Sequence, residues 1–168
     1  MCLSDPEIEA EVEESFSRQS EEGLLADYKD GSLHKKRTAE HGEKCIDIMI
    51  FQDEFSPTKD LSSVANIYQI LGMYYTNGNL RPHLRSKLAC KRLIMLIPDF
   101  KAMFSDYKVG CFRKVVSELK KLTETGINFK GEQENIRLRF LLGDNKGQHE
   151  IGGVIQSFSS RVSSRTFS

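Results

Sequence analysis

The segment Ile46-Asp-Ile-Met-Ile-Phe-Gln-Asp-Glu-Phe55 constrains the fold more than any other stretch of the chain. Five of its first six residues are apolar and Ile recurs at 46, 48 and 50, which fits a buried β-strand. Two carboxylates, Asp53 and Glu54, follow the apolar run, and the turn pair Ser56-Pro57 stops it. A strand with acids at its polar end is a rigid mount for groups that can meet a metal ion or a substrate. One other apolar strand leads to an acid, Ile136-Arg-Leu-Arg-Phe-Leu-Leu-Gly-Asp144-Asn145.

Between these two segments the pattern gives the expected topology. A second strand is predicted over 66–76, closed by the turn signal Asn77-Gly78-Asn79. Residues 81–87 form a basic connector, and Leu93–Ile97 is a third buried strand halted by Pro98-Asp99. Over 110–125, Phe112, Val115, Val116, Leu119 and Leu122 follow helical spacing and Gly126 supplies the stop. The fourth strand, 136–142, alternates Ile136, Leu138, Phe140 and Leu142 on one face with Arg137 and Arg139 on the other. From Gln148, Ile151, Val154, Ile155 and Phe158 predict a second helix entered through a Gly-rich turn. Short links favour antiparallel pairing of the first three strands, and the intervening helix lets the fourth run parallel. The expected fold class is α/β: a mixed sheet of three antiparallel strands, a helix and a parallel fourth strand, with the first and fourth as neighbours.

The N-terminal part is weaker in pattern. Ser4-Asp5-Pro6 reads as a cap with Pro at the first helical position, and Ile8, Val12 and Phe16 form a thin apolar stripe among glutamates. A narrow amphipathic helix and a solvated acidic arm both fit, and either way residues 1–22 are expected to bury little. A short helical turn closed by Asp30-Gly31 comes next, then a polar loop over 35–44 headed by Lys35-Lys36-Arg37. That triplet suits a solvated loop, or contact with phosphate or an import receptor. The division is an acidic, partly helical arm over 1–40 and the sheet-bearing part over 41–168.

At 168 residues the chain can form one domain. Its 24 basic and 24 acidic residues cancel, but the acids crowd residues 1–22 and the cations 81–121. Arg81, Arg85, Lys87, Lys91 and Arg92 therefore make a candidate DNA-backbone contact, with a solvated basic loop as the alternative. Cys2, Cys45, Cys90 and Cys111 have no zinc-ligand spacing and read as free, buried thiols, and the four histidines show no metal spacing. The start has no signal-peptide pattern and no run is apolar enough to span a membrane, so a soluble intracellular protein is expected.

If the first and fourth strands are neighbours, Asp53 and Asp144 meet at one sheet rim. Two such carboxylates repel unless a proton or a hard cation neutralises them, and oxygen ligands favour Mg²⁺ or Mn²⁺. A pair of such ions is a known device for in-line attack on a phosphodiester. Asp and Asn after a strand are also ordinary turn formers, so spacing alone leaves both readings open.

Five blocks carry a resemblance. They are Asp53-Glu-Phe-Ser-Pro57, Tyr68-Gln-Ile-Leu-Gly-Met-Tyr-Tyr-Thr-Asn-Gly-Asn-Leu80, Leu93-Ile-Met-Leu-Ile-Pro98, Leu119-Lys-Lys-Leu-Thr-Glu-Thr-Gly-Ile127 and Leu141-Leu-Gly-Asp-Asn145. In this order they resemble the transposase core of CACTA-type (En/Spm-like) DNA transposons and related transposon-derived proteins, over roughly residues 24–168. The resemblance implies an RNase H-like fold, catalytic and metal-binding roles for Asp53 and Asp144, a Mg²⁺ or Mn²⁺ cofactor, DNA as partner, and a nuclear location, otherwise a cytoplasmic one. The family continues into a Cys-x-x-Cys element and a third catalytic acid that this sequence does not contain. The expectation is thus part of a DDE/D-type core, incomplete at its C-terminus, prone to self-association and inactive alone. The alternative is a domesticated, non-catalytic DNA- or protein-binding module.

Overall fold

The computed structural model describes residues 5–19, 21, 23–41, 44–56, 70–98 and 106–143. Its elements are α1 (Pro6–Ser17), a 3₁₀ turn (Tyr28–Asp30), α2 (Ser32–His41), β1 (Ile46–Phe55), β2 (Ile70–Asn77), α3 (Pro82–Arg85) and a second 3₁₀ turn (Leu88–Cys90). Then come β3 (Lys91–Pro98), α4 (Asp106–Thr125), β4 (Ile127–Phe129), β5 (Glu132–Glu134) and β6 (Ile136–Gly143). The fold class is α/β. A four-stranded mixed sheet has the order β3-β2-β1-β6 with one parallel pair, and β4-β5 form a separate hairpin.

Sheet direction follows from the contacts. Gly78 N donates to Asp47 O at 2.7 Å, and Gly72 lies beside Asp53 O, so β1 and β2 run antiparallel. Thr76 Oγ1 donates to Cys90 O at 2.9 Å, and Gly72 lies beside Leu96, so β2 and β3 do the same. The parallel pair is then β1–β6, joined through Ile46 N to Asn135 O at 2.8 Å. This is the expected neighbour relation, and α4 supplies the crossover that a parallel connection requires.

The chain forms two compact units, and β1, β2, β3, β6 and α4 contribute residues to both. The first holds residues up to Ile48, Thr76–Arg92 and Ser117–Arg139. Its buried apolar residues include Val12, Ile46, Ile48, Leu80, Phe129 and Ile136. In the second unit, buried Leu71 and Ile97 pack with Met95, Cys111 and Phe112, and Phe51 stacks on Tyr74 at 5.4 Å between centroids.

Four features of the first unit depart from the sequence expectation. α1 is a docked helix: the Asp5 side chain caps Glu7 N at 3.0 Å, Val12 is fully buried, and Phe16 meets Phe129 edge-on. The expectation that residues 1–22 bury little is overturned, because one fully buried valine with flanking polar bonds anchors even a thin stripe. Residues 32–41 are helix α2, not loop, so local helix propensity of Lys, Arg and Ala outweighed the lack of an apolar stripe. β4 and β5 pair across the two-residue turn Lys130-Gly131, where both φ angles are positive, 53° and 86°. Along β6, Ile136 and Arg139 are buried while Leu138 is 40% exposed, so the apolar and arginine faces do not sort as alternation predicts. The cause is the polar cluster that takes up the arginines.

Of the cysteines, Cys45 and Cys90 are buried free thiols and Cys111 is a half-buried one, whereas Cys2 lies outside the described residues. So do Pro57, strand residues 66–69 and the segment from Asp144 onward, with its predicted helix.

Candidate functional site

The first unit is built around a charge buried inside β1. Asp47 is 2% exposed, in the middle of the most apolar run of the sequence. A buried carboxylate is stable only if its oxygens are occupied, and here they are. Arg137 Nε donates to Oδ1 at 2.9 Å and Arg139 Nε to Oδ2 at 3.3 Å. Tyr28 Oη donates to Oδ2 at 2.9 Å and also reaches Gly78 O at 3.1 Å, and Cys45 Sγ lies 3.3 Å from Oδ1. Parallel pairing of β1 and β6 delivers the two arginines, and the 3₁₀ turn delivers Tyr28. That turn is itself fixed by Asp27 and Asp30, whose side chains cap each other's backbone.

The backbone at this point is locked too. Asp47 N donates to Asn79 Oδ1 at 2.8 Å, and Asn79 Nδ2 donates to Ser15 Oγ at 3.0 Å and Cys45 O at 3.1 Å. One buried carboxamide thus joins α1, β1 and the turn after β2. Gly78 is needed in that turn for space, since a Cβ there would lie 3.0 Å from both Asp47 Cβ and Tyr28 Oη.

The electrostatics follow from these contacts. Burial pushes the Asp47 carboxyl up, but Arg137, Arg139 and the hydrogen bonds from Arg137 and Tyr28 outweigh it and hold the group below its ordinary value. Burial, then Asp47, pushes the Cys45 thiol up to about 12 and holds the Tyr28 phenol well above its usual range. His34 Nε2 lies 3.9 Å from Asp47, and burial and then Arg139 lower its pKa, so it is a neutral neighbour and not an ion-pair partner at pH 7. No nucleophile or general acid is activated here: the carboxylate stays ionised and the thiol and phenol stay protonated.

Beside the cluster is a pocket of about 620 Å³, with Cys45, Asp47 and Asn79 in its wall. Arg18 comes from the end of α1, Lys29 from the 3₁₀ turn, His34 and Lys35 from α2, and Arg137 from β6. Burial lowers the pKa of Lys29.

The sequence-predicted residues fall elsewhere. Asp53 is exposed in the last part of β1, and among the described residues its carboxylate has no hydrogen-bond or ion-pair partner. Asp144 lies outside the described residues, one position after β6 ends at Gly143. Among the described residues no group of three or more His, Cys, Asp or Glu stands together as a metal site. Of the five cations, Arg81 pairs with Glu11 and Glu14, and Arg85 pairs with Asp27 while its guanidinium sits 5.2 Å from the Tyr28 ring. Arg92 Nη1 donates to Ala89 O and Lys91 O, both at 3.0 Å. Lys91 is half-buried at the start of β3, and Lys87 is exposed at the cap of the second 3₁₀ turn.

Sequence reasoning passed over Asp47, Tyr28 and Asn79. The signal was present: an aspartate inside a run of isoleucines demands a partner, and Arg137 and Arg139 share one face of another strand. Comparison with protein-family models, curated proteins and solved structures finds no match.

Proposed function

We propose that this chain is a transposon-derived protein carrying part of an RNase H-like, DDE/D-type transposase core. The single observation that supports it best is the pairing of β1 with β6. The sheet order β3-β2-β1-β6, with the last pair parallel, is compatible with the RNase H-like core that the resemblance implies. The hydrogen bond from Ile46 N to Asn135 O sets Ile46 level with Ile136. The same offset, kept to the ends of both strands, sets Asp53 level with Gly143, where β6 ends.

The exposed, unpaired carboxylate of Asp53 fits the oxygen-ligand chemistry of Mg²⁺ or Mn²⁺. In this reading Asp53 and Asp144 hold the ion, which when bound supplies Lewis-acid polarisation of a phosphodiester. Two carboxylates hold one cation loosely, so binding without turnover is the expected behaviour of this chain. Of the cations of the 81–92 segment, the exposed Lys87 is the one offered to DNA phosphate, whereas Arg81 and Arg85 are engaged by acids.

Mn²⁺ titration followed by water-proton relaxation tests the reading. The expected result is saturable binding that weakens in both Asp53→Asn and Asp144→Asn. Binding that is absent, or indifferent to both substitutions, would remove the metal-site reading. In a strand-cleavage assay with Mn²⁺ the chain alone is expected to be silent. Activity lost in both variants would show that two acids suffice.

A further inference from the structure

We propose that the pocket beside Asp47 binds a phosphomonoester dianion, as free phosphate or as the phosphate of a mononucleotide. This goes beyond the transposase reading and does not depend on it, because none of the pocket residues belongs to the Asp53 rim.

The argument begins with charge. Arg18, Lys29, Lys35 and Arg137 line the pocket with the neutral His34, and Asp47 is the one acid among the described residues of its wall. That acid is already committed: Arg137 and Arg139 both donate to it, so two guanidiniums share one negative charge. Arg18 is taken by Glu11 at 2.7 Å. Lys29 and Lys35 have no hydrogen-bond or ion-pair partner among the described residues. Burial lowers the pKa of Lys29, and Arg18 and Arg85 add to this against the opposing pull of Asp47 and Asp27, so charging it in the pocket carries a cost. An anion in the pocket removes that cost.

Helix placement points the same way. The first turn of α2 holds no acid and carries the cation Lys35 beside the neutral His34. Cations at the positive end of a helix dipole are unfavourable unless an anion accompanies them. The end of α1 that borders the pocket carries partial negative charge, and Arg18 at its cap offsets this.

Size and shape select the class. A cavity of about 620 Å³ exceeds the needs of a halide and suits a ligand of nucleotide size. Lysines that converge from the 3₁₀ turn and α2 favour a compact multivalent oxyanion, since each ammonium interacts as a point charge. Phe16 in the wall offers an aromatic surface for an organic portion.

The test is isothermal titration of the full chain at pH 7 with inorganic phosphate and with adenosine 5′-monophosphate, ionic strength held constant with chloride. Saturable binding of both is expected. Lys29→Gln should weaken it about tenfold, as loss of one charge-assisted contact does. Lys35→Gln, at an exposed position that leaves the fold intact, should weaken it by a smaller factor, and Lys120→Gln on α4 should leave it within about twofold. Equal affinity for the two ligands would assign the site to phosphate itself, and tighter binding of the nucleotide would assign a role to the nucleoside. The proposal is overturned if neither ligand saturates, or if Lys29→Gln and Lys35→Gln bind as well as Lys120→Gln.

Discussion

β1 carries two aspartates six positions apart that live under opposite rules. Asp47 is buried, holds two arginines and a tyrosine, and has its backbone amide pinned by Asn79. Asp53 is exposed and without a partner among the described residues. The first is expensive to disturb and chemically quiet, because every lone pair is spent on holding the fold. The second costs the fold little, and for that reason is free to take a ligand. A carboxylate's usefulness in chemistry and its usefulness in stability trade against each other along a single strand.

The largest expected effect is at Asp47. Asp47→Asn removes the charge that the buried Arg139 and the half-buried Arg137 share, and should cost about 3–5 kcal/mol of unfolding free energy. Urea unfolding measures it, and a cost near zero would mean the cluster is not what holds the first unit together. Tyr28→Phe keeps the ring beside Arg85 and Arg139 but removes the hydroxyl from Asp47. About 1–3 kcal/mol is expected, because a buried carboxylate oxygen is left with one donor fewer.

Acid sharpens the comparison further. The folded Asp47 pKa lies below its unfolded value, so the stability it contributes is complete above the unfolded pKa of about 3.9 and is lost as pH falls through the folded pKa. His34 is likewise lowered, so folding needs it neutral, and its contribution is complete above about pH 6.5 and shrinks below it. Unfolding free energies of native and Asp47→Asn chains, measured from pH 7 down, should share the first decline. The second, below about pH 4, should be larger in the native chain, since Glu132, also held low by Lys44, remains in both. The smallest effect belongs to Asp53→Asn, within about 0.5 kcal/mol of the native chain, as for a surface substitution that breaks no contact. A larger loss would reveal a structural role and blur the contrast between the two ends of β1.

The sequence by itself determined the elements whose signals are local. The isoleucine run made β1, the Asp5-Pro6 pair started α1, Gly126 ended α4, and three short-linked strands plus a helix led to a mixed sheet with β1 beside β6. It also marked Asp53 by position, since a polar residue at the end of an apolar strand is visible in one dimension. What it did not mark was decided by partners distant along the chain. Asp47 is 90 residues from Arg137 and 19 from Tyr28, and Asn79 is 64 from Ser15. The docking of α1 rests on that same asparagine and on Glu11 accepting from Arg81 N, contacts that no stripe of three apolar residues announces. A buried ionic cluster leaves only half of its signature in any one segment: an acid in one strand, bases in another. Only folding brings the halves to hydrogen-bonding distance, and only then does one of two aspartates on the same strand become structure while the other stays open to solvent.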